Sequence, residues 1–104
     1  MRLEVLAFNA TADDLSGDLT YECTARGISI TWEILQGNSR RVQLGAASGP
    51  GYELQAQNVS KCVVRSTLTV PPGGNLLLEG AVVTCTAKAY DESRQASARI
   101  FYGM

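Results

Sequence analysis

Residues 19–35 read LTYECTARGISITWEIL, and apolar and polar side chains alternate along both halves of this stretch. In the second half, Ile28, Ile30 and Trp32 share one parity, and the side chains between them are polar. A period of two is typical of a β-strand that buries one face. In the first half, Cys23 falls on the apolar parity in the same way. The stretch therefore predicts two successive strands that point Cys23 and Trp32 into a core.

The composition is that of one globular domain: 104 residues, of which 45% are hydrophobic and 18% charged. We therefore expect residues 1–104 to form a single domain. The net charge of −1 provides no basic surface for nucleic acid or for a membrane. No apolar run approaches the roughly 18 residues that a transmembrane helix requires. Because Met1 directly precedes a predicted strand, we expect a domain cut from a longer protein, whose missing segments supply any membrane attachment.

Turn-forming residues divide the chain at short intervals, as in QGN (36–38), SGPG (48–51) and PPGG (71–74). No window between these turns has a helical period of useful length. Short strands separated by turns are typical of an antiparallel β-sandwich or barrel. We predict strands at 2–8, 18–25, 28–36, 40–44, 52–57, 62–70, 80–90 and 95–102.

Two later strands carry the other cysteines on their apolar parities. In CVVRSTLTV (62–70), Cys62 and Leu68 point toward the core, and in AVVTCTAKA (81–89), Cys85 does. Three cysteines allow at most one pair within the chain. The periodicity leaves open which cysteines pair.

The order of these motifs resembles an immunoglobulin-like domain: Cys23, then Trp32, then STLTV (66–70), then GAVVTCTAKA (80–89). The resemblance implies a Greek-key β-sandwich of seven to eight antiparallel strands in two sheets. It also implies a disulfide from Cys23 to Cys85 that bridges the sheets, with Trp32 packed on it. The alternative is a pair of reduced, buried thiols, as in intracellular muscle-type members of the fold.

Two positions depart from the family pattern. Val83 stands two residues before Cys85, where the family usually has a tyrosine, which favours an intermediate or C2-like domain and leaves the variable set open. Cys62 would form a strained bridge with Cys23 inside one sheet, so we expect it to make no bond within this chain. It is then either a buried thiol or the partner of a residue outside this fragment or in another chain.

The residues of an enzyme or of a metal site are missing from the sequence. The chain has no histidine, the commonest general base and metal ligand. It also lacks a Cys-x-x-Cys pair and the Gly-Lys-Ser/Thr of a phosphate-binding loop. We therefore expect no catalysis, no metal, no cofactor and no small-molecule substrate.

A protein-binding face is the functional hypothesis that remains. The resemblance places strands 28–36, 40–44, 80–90 and 95–102 in one sheet, whose outward side chains mix aromatic, aliphatic and cationic groups as binding anchors do. An ordinary solvated face, or one buried against a neighbouring domain, is the alternative. The candidate residues are Leu35, Arg41, Lys88, Tyr90, Arg99 and Phe101.

Two Asn-x-Ser/Thr sequons, at Asn9 and Asn58, favour a glycoprotein of the secretory route, in which disulfides persist. We expect the extracellular side of the plasma membrane or secretion as the location. The expected function is that of a receptor or adhesion domain that recognises another protein, homophilically or heterophilically. The alternatives are a spacer domain without a ligand and an intracellular, sarcomere-type scaffold domain.

Overall fold

The computed structural model describes residues 3–12, 15–35, 41–44, 48–49, 51–71, 81–89 and 92–99. Within those ranges the chain forms eight strands and no helix. The strands are β1 (Glu4–Ala12), β2 (Leu19–Arg26), β3 (Ser29–Leu35), β4 (Arg41–Leu44), β5 (Glu53–Ser60), β6 (Val63–Val70), β7 (Val82–Ala89) and β8 (Glu92–Arg99).

The strands form two antiparallel sheets of four. Sheet 1 has the order β1-β2-β6-β5, and sheet 2 has the order β4-β3-β7-β8. The chain changes sheet after β2, after β4 and after β6, so each sheet is built from two separate hairpin-like segments. This arrangement confirms the predicted all-β sandwich.

The inward side chains of the central strands, which are the apolar half of each alternating pattern, form the core between the sheets. From Thr20 to Arg26 in β2, and from Ile30 to Leu35 in β3, buried and half-buried residues alternate strictly, with Tyr21, Cys23 and Ala25 buried in β2. In β6, the buried residues are Ser66, Leu68 and Val70, so the predicted core position of Leu68 is confirmed. Burial of one parity is the main stabilising term, because apolar area removed from water contributes roughly 25 cal/mol per Å².

The tight connection from β2 to β3 favours a glycine. A Cβ on Gly27 would lie 2.9 Å from Leu3 Cδ1 and 3.2 Å from the backbone oxygen of Lys88. The Gly27 amide also donates a hydrogen bond to the backbone oxygen of Cys62, at 2.8 Å. The close approach of Leu3 and Lys88 leaves little room for a side chain at this point.

Several strand limits differ from the prediction. β1 continues through Ala12, whereas the predicted strand ended at residue 8, because its residues pair in register with β2 as far as Leu19. Ile28 was predicted to point inward with Ile30, but it lies in the bend before β3 and is 52% exposed. β8 begins at Glu92, three residues earlier than predicted, because its pairing with β7 extends to the end of that strand.

The predicted inward position of Cys62 is wrong. Cys62 lies in the turn between β5 and β6, is exposed, and has a φ of 65°. A β-bulge between Asn58 and Ser60 lengthens β5, and β6 begins only at Val63. The alternation of β6 therefore does not extend back to Cys62. The thiol is free within the chain, as predicted, but it is not a buried one.

Candidate functional site

The Cys23–Cys85 disulfide joins the centres of the two sheets. It connects β2 to β7 with a Cα–Cα distance of 6.5 Å, and both residues are fully buried. The bridge that the resemblance implied is therefore present in the structure. It ties the sheets together at their middle strands.

A hydrogen bond between Trp32 and Ser66 crosses the core beside the disulfide. The indole Nε1–H of Trp32 donates to Oγ of Ser66 at 2.8 Å, and Trp32 is only 1% exposed. Ser66 is the register partner of Cys23 in sheet 1, and Trp32 is the register partner of Cys85 in sheet 2. The four residues thus form two parallel links between the sheets, which we call the cross-sheet layer.

Sequence reasoning placed Trp32 against the disulfide but missed its hydrogen-bond acceptor. The acceptor could have been predicted from Ser66, because this hydroxyl-bearing residue lies among apolar residues on the inward side of β6. A buried indole N–H needs an acceptor, and an inward serine in a core strand is a candidate for that role. Phe8 adds an edge-on contact, with its ring centroid 5.9 Å from that of Trp32. All four residues of the layer are buried, and Trp32 and Ser66 also lie at the bottom of a groove described below.

The outer face of sheet 2 brings three of the predicted binding residues to one end. Leu35 is the register partner of Arg41 on one side and of Val82 on the other. Val82 in turn pairs with Arg99 of β8. We call these four positions the Arg41–Arg99 row. Leu35 and Val82 are half-buried and Arg41 is exposed.

The middle of the same face is polar and flat. Nε2 of Gln43 donates to Oε1 of Glu33 at 2.6 Å, and Arg41 lies 3.7 Å from the same oxygen. Thr84 and Thr86 are buried although they occupy outward positions of β7. The centre of the face therefore offers few groups that a partner could enclose.

Lys88 lies at the opposite end of the face. It pairs with Ser29 and Ser93, six residues along β7 from Val82. At about 3.3 Å per residue this separation is roughly 20 Å, so Lys88 is not part of the row. Tyr90 and Phe101 lie outside the described residues, and their place in the predicted binding face stays a prediction.

The outer face of sheet 1 has a different character, because most outward side chains of its central strands, β2 and β6, are polar. Nε of Arg65 lies 3.8 Å from Glu22 and donates to Thr24 Oγ1 at 3.2 Å. Asn9 is the register partner of Glu22, so the first sequon lies on this face, whereas the second lies on edge strand β5 of the same sheet. Further outward positions on β2 and β6 are Thr20, Thr67 and Thr69.

A groove opens between the edges of the two sheets, beside β5 and the first half of β3. Its volume is about 340 Å³. It is present because β4 pairs only with Trp32–Leu35 and leaves the start of β3 uncovered by that strand. The lining includes Ile28, Ser29, Ala56, Asn58 and Val64.

No protein-family model matches the chain, and no curated protein is similar to it in sequence. Within the part of the chain that the structure describes, no helix is long and apolar enough to cross a membrane. The same residues contain no group of three or more His, Cys, Asp or Glu side chains placed to hold a metal ion. The functional argument therefore depends on the two outer faces and the groove.

Proposed function

We propose that this chain is an extracellular immunoglobulin-like domain that recognises another protein through the outer face of sheet 2. The observation that carries the proposal is the difference between the two outer faces. Both sequons lie on sheet 1, at Asn9 and Asn58, whereas the described strands of sheet 2 carry none and present the Arg41–Arg99 row. Glycans on sheet 1 would leave sheet 2 as the free face.

The Arg41–Arg99 row combines arginine positions with apolar side chains that a partner could cover. Two half-buried aliphatic side chains, Leu35 and Val82, lie next to each other between two arginine positions. Arginine is enriched where binding free energy concentrates, and a partner that covered the two aliphatic side chains would remove apolar area from water. A partner that presents an apolar group within a ring of carboxylates would complement the row, and its association rate would fall with added salt.

The disulfide and the strand arrangement support the extracellular, immunoglobulin-like assignment. A buried disulfide persists in oxidising compartments and is rare in the cytosol. The arrangement places β5 beside β6 in sheet 1 and one extra strand, β4, beside β3 in sheet 2. The eight strands of the described residues are one more than the constant type has and one fewer than the variable type has, in agreement with an intermediate or C2-like domain.

The experiment compares substitutions on the two faces in one binding assay. The domain is secreted from animal cells, tested for self-association by sedimentation, and screened against purified extracellular domains. Leu35→Ala and Arg41→Ala test the row, and Glu22→Ala and Thr67→Ala serve as matched changes on sheet 1. We expect the row variants to weaken binding by about 2 kcal/mol or more and the sheet 1 variants to leave it unchanged.

Two results would contradict the proposal. If the sheet 1 variants abolish binding and the row variants are silent, the face is misassigned. If neither pair matters in a parent protein that binds its partner, the domain is a spacer. Tyr90→Ala and Phe101→Ala enter the same assay and test whether those predicted residues belong to the face.

A further inference from the structure

Asn58 lies at the groove, and this position links the second sequon to a cavity. Asn58 is the register partner of Val64, which packs against the core, so both belong to the inward parity of sheet 1. The residue is nevertheless exposed, because it lies near the end of edge strand β5. Its side chain contributes to the groove lining.

The rest of the sequon is accessible as well. Val59 is 45% exposed, and Ser60, which supplies the sequon hydroxyl, is also exposed. The β-bulge between Asn58 and Ser60 interrupts the regular register at this point. Bulges re-aim side chains relative to a straight strand. The sequon therefore lies at an irregular point of an edge strand that is paired with β6 on one side only.

We propose that Asn58 carries an N-linked glycan whose first sugar residues occupy the groove between the sheets. The inference rests on the proposed extracellular function, since only that route supplies the donor. In the transfer, Nδ2 of Asn58 loses a proton and forms a C–N bond to the anomeric carbon of N-acetylglucosamine. The C–O bond to a polyprenyl diphosphate breaks, and the diphosphate leaves.

The groove fits the two kinds of surface that a sugar ring has. Its apolar wall includes the exposed side chain of Ile28, together with Ala56 and Val64. The C–H groups of a pyranose ring can pack on such a wall and cover it from water. Ser29 and Gln57 lie in the same lining and provide polar groups for hydroxyls and the acetamido group. The groove volume lies in the range of small-molecule sites.

A glycan in this position would also protect the free edge of sheet 1. β5 spans eight residues, has no proline, and carries a single charged residue, Glu53. An exposed edge of this kind can pair with a strand of another molecule. The proposal therefore assigns the Asn58 glycan two structural effects, covering the groove wall and blocking edge-to-edge pairing.

The Asn9 glycan is the internal control. Asn9 lies on the polar outer face of sheet 1, opposite Glu22, and does not line the groove. A glycan there has no apolar wall to cover. Its removal should not change stability even if the site is fully occupied.

The test uses protein secreted from animal cells, with the site occupancy read by peptide mass spectrometry after enzymatic deglycosylation. Asn58→Gln and Ser60→Ala both remove the sequon, the second without changing Asn58 itself, and Asn9→Gln is the control. We expect occupancy at Asn58, and a loss of about 4–8 °C in Tm for both Asn58-sequon variants, with none for Asn9→Gln. Digestion with an endoglycosidase that leaves one N-acetylglucosamine on Asn58 should lower the Tm by only a small part of that amount.

Contact with the groove wall is tested by a pair of substitutions in both glycoforms. Ile28→Ser should lower the Tm of the glycosylated protein and have little effect on the deglycosylated one. Leu6→Ser is the control, because Leu6 is another exposed apolar residue that does not line the groove. It should act equally in both forms.

The outcomes separate this inference from the proposed function. Secreted, disulfide-bonded protein without a glycan at Asn58 would overturn the inference and leave the recognition face untouched. Occupancy without any change in Tm, and with equal effects of Ile28→Ser in both glycoforms, would place the glycan in solvent and also overturn it. Failure to form the Cys23–Cys85 disulfide on secretion would contradict the extracellular assignment on which both depend.

Discussion

The cross-sheet layer and the β5–β6 turn both contain cysteine, but different interactions fix the position of the residue in each. In the layer, Cys23 and Cys85 are fully buried and fixed by a bond between the two sheets. In the turn, Cys62 is exposed, and its place is set by a backbone with a φ of 65°. Its backbone oxygen accepts a hydrogen bond from the amide of Gly27.

The difference teaches where side-chain identity matters in this domain. Each side chain of the layer contacts both sheets, so a change at one position removes support from the other sheet as well. At the turn, the backbone conformation determines the local structure, and the side chain is exposed to solvent. We therefore expect large effects of substitution in the layer and small ones at the turn.

Removal of the disulfide should have the largest effect. Cys23→Ala combined with Cys85→Ala should lower the free energy of unfolding by about 4 kcal/mol, because the bridge closes a loop with a sequence separation of 62. Urea unfolding of the oxidised protein and the double variant measures the loss. Cys62→Ala, the matched control, should change it by less than about 0.5 kcal/mol. If the double variant is as stable as the parent, substitutions in the layer do not have larger effects than substitutions in the turn.

Loss of the Ser66 hydroxyl should have an intermediate effect. Ser66→Ala leaves the buried indole N–H of Trp32 without its acceptor, which should cost about 1–3 kcal/mol. Thr67→Ala, at the adjacent outward position of β6, should cost much less. Combining Ser66→Ala with Trp32→Phe should give a smaller loss than the sum of the two single changes, since the donor is then gone as well. Additive losses would show that the hydrogen bond contributes nothing.

The same contrast explains which parts of the fold the sequence could predict. Alternation identified the inward faces of β2, β3 and β6, because these strands are paired on both sides and their register cannot slip without exposing a whole face. It failed at Ile28 and Cys62, which lie just outside strands. Alternation has no meaning across a bend or a turn, so counting back from β6 misplaced Cys62.

The candidate site was less predictable than the fold. Strand assignments correctly grouped Leu35, Arg41 and Arg99 on one sheet, but sequence alone did not give the register that places them in one row and Lys88 about 20 Å away. The groove was not predicted at all, because it results from the short pairing of β4 with β3. The sequence showed the Asn58 sequon but not its position at that groove.

The turn provides the smallest predicted effect. Asn and Gly adopt a positive φ at least cost, whereas a β-branched residue is strained there. Cys62→Asn should therefore leave the free energy of unfolding within about 0.5 kcal/mol of the parent, and Cys62→Val should lower it by about 1 kcal/mol. In the parent, alkylation under native conditions should modify one thiol per chain, since Cys23 and Cys85 are bonded. If Cys62→Val is as stable as Cys62→Asn, the left-handed backbone does not govern this turn. A thiol that reacts only after unfolding would mean that Cys62 is buried after all, and the turn would then belong with the core.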